Sequence, residues 1–333
     1  LCRVAAEYDG IYISHIRNED ETFLEAIDDF LKIPASTGIR SEIYHLKQVG
    51  RTNWHKLDGA IAKIDSARAA GRQITADMYN YPASSTGLGI LMPEWVQEGG
   101  FEKWVARLKD PAVRKVVGPE IIKTIMRKQG TPEKVLLIGF HTDSLKYLQG
   151  KTLAEIAAMR GKSAEETVMD LVIDDNSNVS AVFFSMSEDN LRTQIAQPWM
   201  MFGSDGKSMA PEGVFLKSAT HPRAYGNFAR LLGKYVRDEQ VITMEEAVRR
   251  LTSLPAANMK LDRRGTLMQG YYADIVVFDP ANIQDHSTFE NPHQLSTGMS
   301  HVFVNGVQVL RDGEHTGATP GRVVRGPGYK GNK

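Results

Sequence analysis

The first 82 residues alternate between short apolar runs, which favour β-strands, and longer amphipathic runs, which favour helices. The strand-like runs cover 11–16, 40–47 and 73–82, and helical patterns between them cover 21–31 and 57–70. In the helical patterns apolar residues recur every three or four positions, which is the period of an α-helix. Strands separated by helices pair in parallel, because a right-handed crossover returns the chain to the same edge of the sheet. This order predicts an α/β fold around a parallel sheet.

The alternation breaks between residues 83 and 199 and then resumes. We expect helices at 101–109 and 119–129 and strands at 134–140 and 178–186. Thr152 and Ser163 are placed to cap two further helices. We interpret 83–199 as an insertion over the mouth of a barrel. A strand followed by polar residues returns at 198–206, and 244–261 has the pattern of an amphipathic helix.

The last part of the chain has the pattern of a small β-module. Residues 264–280 and 301–314 alternate between apolar and polar side chains and contain glycines at turn positions. Asn305-Gly306 lies between two apolar runs, which is a strong signal for a β-hairpin.

Charge and composition exclude several classes of function. Lys plus Arg and Asp plus Glu both number 40, so the chain has no excess of basic residues. Its charge therefore does not indicate a nucleic acid or an anionic membrane as partner. No apolar run approaches the roughly 20 residues that a membrane-spanning helix needs. The one cysteine, Cys2, excludes an internal disulfide framework and favours a reducing compartment such as the cytoplasm.

Three of the predicted strands end in residues that can bind a metal ion or carry a proton: His15, His45 and Asp205. The carboxyl ends of parallel barrel strands meet on one face, where active sites are built. Two imidazoles and a carboxylate there suit a borderline metal such as zinc. The alternative, that each histidine is a hydrogen-bonded core residue, stays open. His141 is interpreted as a loop or lid residue, and the remaining histidines, including His221, as structural or exposed.

Lys47, Tyr79 and Arg223 are further candidates for the same pocket. Lys47 lies two residues after His45 and shares its face, so it could bridge metals if carboxylated, bind a substrate anion, or be solvated. Tyr79 lines the pocket or fills the barrel. Arg223 offers a fixed fork for a carboxylate, or lies on the surface.

Several stretches resemble the D-aminoacylases, the N-acyl-D-amino-acid deacylases of the amidohydrolase superfamily. They are "YISHIRNE", "EIYHLKQVGRTNW", "DMYNYPASST", "GSDG", "HPRAYGNFARLLGKYVRD" and "LTSLPAANMKLDRRGTLMQGYYADIVVFDP". The resemblance implies a (β/α)₈ TIM barrel of the metal-dependent hydrolase type, here only strands 5–8, with an insertion and a small β-sandwich. It also implies hydrolysis of a small-molecule substrate, an N-acyl-D-amino acid, to a carboxylate and a free D-amino acid.

The resemblance also implies roles for individual residues. His15 and His45 correspond to zinc ligands, and Asp205 corresponds to a further ligand that serves as the general base. Lys47, Tyr79 and Arg223 correspond to positions that bind the substrate carboxylate and polarise its amide. One or two Zn²⁺ ions are expected. The family's His-x-His motif of strand one and its bridging cysteine have no counterpart in this sequence.

The resemblance divides the chain into four parts. They are 1–82 (barrel strands 5–7), 83–199 (insertion or lid), 200–262 (strand 8 and closing helices) and 263–333 (β-sandwich). Because the chain opens on a helix that leads into a buried strand, we expect it to be the back part of a longer protein. Two rival functions remain open: hydrolysis of cyclic amides, as in hydantoinases and dihydroorotases, and a catalytically inactive partial barrel. A homo-oligomer also remains open.

Overall fold

The structure of the protein is a computed structural model that describes residues 1–329 and 331. The described residues form twelve strands: β1 (Ile11–Ser14), β2 (Arg40–Ile43), β3 (Ile74–Met78), β4 (Ser84–Gly87), β5 (Val135–Gly139), β6 (Lys151–Thr152), β7 (Ser180–Phe183), β8 (Met200–Phe202), β9 (Ile275–Phe278), β10 (Met299–Val304), β11 (Val307–Arg311) and β12 (Glu314–His315). They pair into three separate four-stranded sheets.

The same residues form twelve α-helices: α1 (Cys2–Glu7), α2 (Phe23–Thr37), α3 (Leu57–Ala69), α4 (Glu94–Gln97), α5 (Phe101–Lys109), α6 (Pro111–Lys128), α7 (Leu153–Arg160), α8 (Ala164–Asp174), α9 (Glu188–Ile195), α10 (Arg223–Arg230), α11 (Met244–Leu251) and α12 (Ser253–Asn258). A π-helical segment, Leu231–Asp238, continues α10. Within the described part of the chain, no helix combines the length and apolar character needed to cross a bilayer.

The first sheet is parallel throughout and has the order β1-β2-β3-β8. Every residue of β3 is buried, as expected of a parallel strand covered on both faces. Helices α2 and α3 pack against the sheet through Phe30, Ile27 and Ile64, which all belong to one core with Ile74. The predicted alternation of strands and helices and the predicted parallel sheet are thus confirmed.

The second sheet is antiparallel, has the order β4-β7-β5-β6 and lies within residues 83–199, which we call the lid region. It packs with α4–α8 around a core of its own, centred on residues such as Ile121, Leu137 and Leu171. Thr152 caps α7, as predicted, and forms a reciprocal capping box with Glu155; Ser163 caps α8 by accepting a hydrogen bond from the Glu166 backbone N–H. The helix expected at 119–129 begins earlier, at Pro111, because the Asp110 side chain caps it and proline is favoured in the first turn.

A cluster of charges ties the lid region to the loop after β1. The buried Asp20 carboxylate accepts hydrogen bonds from Asn53 Nδ2 at 2.7 Å and from Arg127 Nη1 at 2.5 Å, and Lys128 Nζ lies 3.0 Å away. Arg127 and Lys128 end helix α6 of the lid region. The end of this helix is therefore fixed beside the carboxyl edge of the parallel sheet.

The third sheet, β9 to β12, is antiparallel and confirms the predicted hairpin. Asn305 and Gly306 both have positive φ angles, 51° and 81°, which a type I′ turn requires. The helix expected at 244–261 is instead divided into α11 and α12 at Thr252. Pro255 explains the break, because its ring has no N–H and would clash with a helical carbonyl four residues earlier.

Candidate functional site

The carboxyl ends of the four parallel strands meet at one edge and place the predicted site residues there. His15 follows β1, and His45 lies two residues after β2. Tyr79 follows β3, and Asp205 lies three residues after β8. These four line one cavity of about 240 Å³ together with Lys47 and Arg223. All six residues singled out from the sequence therefore border a common space.

The two histidines face each other across this cavity. His15 Nδ1 lies 3.2 Å from His45 Nε2, and the ring centroids are 4.7 Å apart. The side chain of His15 is 55% exposed, whereas that of His45 is 11% exposed. Burial lowers the pKa of His15, which favours its neutral ring, the form that binds metal ions.

Glu19 joins this pair, and sequence reasoning missed it. Its Oε1 lies 2.6 Å from Lys47 Nζ, 3.3 Å from His45 Nδ1 and 3.4 Å from His15 Nδ1. Burial would raise the pKa of Glu19, but hydrogen bonds from His45 and Lys47 outweigh it and lower the pKa, so the group stays a carboxylate. The sequence feature that points to Glu19 is its position four residues after His15, within a short acidic run.

The donor atoms fit a divalent ion such as zinc. Ligand atoms of His15, Glu19 and His45 all lie within 4.8 Å of one another. Tetrahedral ligands about 2.05 Å from zinc are about 3.3 Å apart, close to the separation of the two imidazole nitrogens. His45 Nδ1 lies 2.8 Å from Lys47 Nζ and 3.3 Å from Glu19 Oε1, so these two groups orient the ring and leave its Nε2 facing His15.

Asp205 pairs with Arg223 on the other side of the cavity. Arg223 Nη1 lies 2.9 Å from Asp205 Oδ2, and the guanidinium stacks 4.3 Å from the centre of the Tyr79 ring. The Arg223 side chain is only 9% exposed. A guanidinium has five N–H donors, and a single carboxylate cannot accept hydrogen bonds from all of them. Arg223 can therefore bind a second carboxylate that enters the cavity.

His221, interpreted from the sequence as structural or exposed, supports this arginine. Its buried ring accepts a hydrogen bond at Nδ1 from the Arg223 backbone N–H, and its Nε2 lies 2.9 Å from the Ala83 carbonyl oxygen. This pattern fixes one neutral tautomer. Burial, reinforced by the Arg223 charge, lowers the pKa of His221 to about 3, so the ring stays neutral at physiological pH. It is a positioning residue for Arg223.

Two candidate residues have a strained backbone. His45 and Asp205 have φ angles of 38° and 44°, in the left-handed region that residues with a side chain rarely adopt. The His45 backbone N–H donates to Asp77 Oδ1 at 3.0 Å, which stabilises this conformation. Asp77 is hydrogen-bonded in turn to Glu42, which also accepts from Asn258 Nδ2 at 2.5 Å.

The Glu42–Asp77 pair should make the free energy of unfolding depend on pH. Burial and the hydrogen bond with Asp77 raise the pKa of Glu42 from 4.5 to about 9. Between these values the folded chain holds a proton that the unfolded chain lacks, so stability falls as pH rises through this window. Gln at position 42 needs no proton. From pH 5 to 8 we expect Glu42→Gln to gain up to about 1.4 kcal/mol per pH unit in unfolding free energy relative to wild type.

Urea unfolding at several pH values measures this difference. Glu245→Gln, at an exposed glutamate, is the matched control and should follow wild type. A difference between Glu42→Gln and wild type that does not change with pH would show that Glu42 binds no extra proton on folding.

Comparison with known proteins finds an amidohydrolase family model and deacylase relatives that match this chain. The model of the amidohydrolase family matches residues 92–310. The chain is 34% identical to an N-acyl-D-glutamate deacylase of Alcaligenes xylosoxydans xylosoxydans, over 98% of the chain and 56% of the relative. It is 31% identical to a D-aminoacylase of the same organism, over 97% of the chain and 56% of the relative.

A solved structure of a deacylase also resembles this chain. The N-acyl-D-glutamate deacylase from Bordetella bronchiseptica, in complex with zinc and a phosphonate mimic of the tetrahedral intermediate, superimposes with a TM-score of 0.74 at 32% identity. The superposition covers 95% of this chain and 57% of that one. The chain thus spans about half the length of the relatives it matches, and that half carries the cavity described above.

Proposed function

The chain belongs to the amidohydrolase family, and on this premise we propose that it hydrolyses the amide bond of N-acyl-D-amino acids, giving a carboxylate and a free D-amino acid. One observation carries the proposal: two facing imidazoles, the carboxylate of Asp205 and the buried guanidinium of Arg223 line a single cavity at the carboxyl edge of a parallel sheet. Amide hydrolysis needs groups that activate water, and an N-acyl-amino acid brings an anion that Arg223 can bind.

The three sheets also correspond to parts of a larger fold. We propose that β1, β2, β3 and β8 are strands 5–8 of a metal-dependent hydrolase TIM barrel, and that the third sheet is part of a β-sandwich. The division into 1–82, 83–199, 200–262 and 263–333 is proposed on the same basis. The single cysteine supports a cytoplasmic location.

We propose that the site holds one or two zinc ions through His15, His45 and Asp205, with Glu19 as an additional carboxylate. The two imidazole nitrogens at 3.2 Å and the nearby Glu19 oxygen support His15, His45 and Glu19 as ligands. Asp205 is not part of this group of ligand atoms and pairs with Arg223, so its role as a ligand is proposed from the resemblance alone. Zinc bound there would lower the pKa of water to about 7 and polarise the amide carbonyl.

Asp205 would act as general base and then as general acid. Its carboxylate accepts a proton from the attacking water and returns it to the leaving amine, which must be protonated to depart. Arg223 shares its donors between Asp205 and the substrate carboxylate, which brings the anion beside the proton-transfer group. The Tyr79 ring packs against the guanidinium, and Lys47 Nζ lies 5.7 Å from the centre of the same ring; these two residues would complete the anion subsite.

Comparison of three substrate classes tests the proposal. The zinc-loaded chain is expected to hydrolyse N-acetyl-D-methionine, with little activity on the L-enantiomer or on hydantoins. Turnover of hydantoins instead would favour the cyclic-amide alternative, and a chain that neither binds zinc nor turns over any substrate would favour the inactive partial barrel.

Arg223→Ala separates linear from cyclic substrates. A linear N-acyl-amino acid has a free carboxylate and a cyclic amide has none, so loss of the guanidinium should lower kcat/KM for the linear substrate by about 100-fold or more. Arg72→Ala, at an exposed arginine, is the control and should retain wild-type kinetics. An Arg223→Ala variant with unchanged kcat/KM would contradict the assigned anion subsite.

A further inference from the structure

Three consecutive carboxylates follow β1, and the structure divides them between two groups of partners. Glu19 contacts the two imidazoles of the site and Lys47. Asp20 and Glu21 instead pair with Arg127: its Nη1 lies 2.5 Å from Asp20 Oδ1, and its Nε lies 3.6 Å from Glu21 Oε1. Neighbouring like charges repel one another, and here separate cations compensate them. The loop therefore links the candidate metal site to helix α6 of the lid region.

The Asp20 carboxylate is held on both of its oxygens. Oδ1 accepts hydrogen bonds from Asn53 Nδ2 at 2.7 Å and from Arg127, and Oδ2 lies 3.0 Å from Lys128 Nζ. Asp20 is only 7% exposed, and a Cβ atom added to Gly50 would come within 3.1 Å of Oδ1. A carboxylate enclosed in this way can move only if its partners move with it. Asp20 therefore fixes the backbone of the loop at this point.

Glu19 depends on that backbone, because the loop after β1 contains no helix or strand to hold it. The Glu19 carbonyl accepts a hydrogen bond from the Val49 N–H at 2.7 Å, and its side chain lies 2.6 Å from Lys47 Nζ and 3.3 Å from His45 Nδ1. Hydrogen bonds fail beyond about 3.5 Å, so a shift of the loop by about 1 Å would separate Glu19 from the His45 ring. The contacts of Asp20, the next residue, oppose such a shift.

The cations that hold Asp20 belong to a part of the chain with a core of its own. Arg127 and Lys128 are the last two residues of α6, whose Ile121 and Ile125 are buried in the core of the lid region. Cations are favoured at the carboxyl end of a helix, where the macrodipole is negative. Lys128 lines the cavity and is open to a ligand there, whereas Arg127 does not line it. Any effect of Arg127 on the site must therefore pass through the residues that it contacts.

Resting on the proposed function, we propose that Asp20 and Arg127 are positioning residues, which hold Glu19 against the two imidazoles and so couple the lid region to the metal site. Glu19 orients the His45 ring and pairs with Lys47 beside it. Release of the loop from α6 lets Glu19 withdraw and frees the ring. None of the proposed zinc ligands lies within the lid region, yet the lid region then determines how tightly they bind the ion.

Arg127→Met removes one of the contacts that hold Asp20. We expect the zinc dissociation constant, measured by competition with a zinc-binding dye, to rise about 10-fold, because groups that orient a metal-bound histidine affect affinity on this scale. With saturating zinc, kcat for N-acetyl-D-methionine should fall about 10-fold. KM should stay within about 3-fold of wild type, since the anion subsite around Arg223 is unchanged. Arg127→Lys keeps the charge and should recover most of both losses.

Arg114→Met is the matched control, because Arg114 lies on the same helix and is similarly buried. Its side chain is 18% exposed, against 22% for Arg127, and it pairs with Glu166 and Asp170 inside the lid region. It should leave the zinc dissociation constant unchanged, although it also breaks two ion pairs. An equal rise in both Met variants would show that general loosening of the lid region is responsible and would overturn the proposal.

A double-mutant cycle tests whether Arg127 acts through Glu19. In a Glu19→Gln background, Arg127→Met should change the zinc dissociation constant by less than about 2-fold, because the carboxylate that Arg127 positions is then missing. A further loss as large as that in the wild-type background would show that Arg127 acts by another route and would overturn the positioning role.

Circular dichroism checks that each variant folds. Asp20→Asn keeps the size of the side chain, carries the same expectation, and replaces Arg127→Met if that variant does not fold. Zinc affinity and turnover that stay at wild-type values in Arg127→Met would overturn this proposal and leave the proposed function standing. A zinc affinity that falls as expected, in a chain without deacylase activity, would support the coupling and overturn the function. A chain that binds no zinc would overturn both.

Discussion

Asp205→Asn should lower kcat for N-acyl-D-amino acid hydrolysis by about 1,000-fold or more, because an amide cannot accept the proton of the attacking water or return it to the leaving amine. The substitution keeps the size of the side chain, and the asparagine oxygen can still accept a hydrogen bond from Arg223, whose guanidinium now lies 2.9 Å from the carboxylate. The fold should therefore persist. Steady-state kinetics with N-acetyl-D-leucine give kcat, and circular dichroism monitors the fold.

Asp262→Asn provides the control, because Asp262 is exposed and lies outside the cavity. Zinc content should be measured on both variants, so that loss of proton transfer is distinguished from loss of the ion. A kcat of Asp205→Asn within 10-fold of wild type, with zinc retained, would show that another group carries the proton.

His45→Ala should abolish both zinc binding and turnover. His45 supplies a ring nitrogen that faces His15, and its ring is held by Glu19 and Lys47. Removing one nitrogen of a small donor set lowers metal affinity by orders of magnitude, since each ligand bond contributes strongly. Zinc per chain, measured by inductively coupled plasma mass spectrometry after dialysis, should fall from about one toward zero.

His55→Ala is the matched control, because His55 is an exposed histidine that does not line the cavity. It should retain both zinc and activity. Glu19→Gln should have an intermediate effect, about 10- to 100-fold on metal affinity, if Glu19 orients the His45 ring rather than binding the ion as an essential ligand. Full zinc occupancy in His45→Ala would contradict the ligand assignment.

The main features of the parallel sheet and the position of the site could be predicted from the sequence. Apolar runs that end in His15 and His45, separated by helical patterns, already implied parallel strands whose carboxyl ends converge. Topology alone brings such residues together, because all parallel strands of a sheet end at the same edge. The hairpin at Asn305-Gly306 was equally clear, since few dipeptides satisfy two positive φ angles.

The loops of the site could not be predicted, because local pattern does not determine their course. Glu19 reaches His45 because Asn18 Oδ1 accepts hydrogen bonds from the backbone N–H groups of Asp20 and Thr22 and so folds the loop after β1. The left-handed backbone of His45 depends on Asp77, 32 residues away. Such contacts arise only once the sheet has formed.

The pairing of Asp205 with Arg223 was missed for a related reason. The two residues are separated by a loop that contains the short 3₁₀ helix Gly213–Lys217, and neither residue shows a periodic pattern. Their contact requires the start of α10 to face the end of β8. The buried His221 precedes α10 and accepts a hydrogen bond from the Arg223 backbone N–H, which fixes the start of the helix. A single histidine in a polar stretch gives no sign of its burial.

Anomalous scattering from crystals grown with zinc, recorded at the zinc absorption edge, would locate the ion relative to the two imidazoles. We expect a peak in the cavity within about 2.0–2.1 Å of a ring nitrogen of both His15 and His45. A zinc peak elsewhere in the molecule, with the two rings hydrogen-bonded to each other and no peak between them, would contradict it.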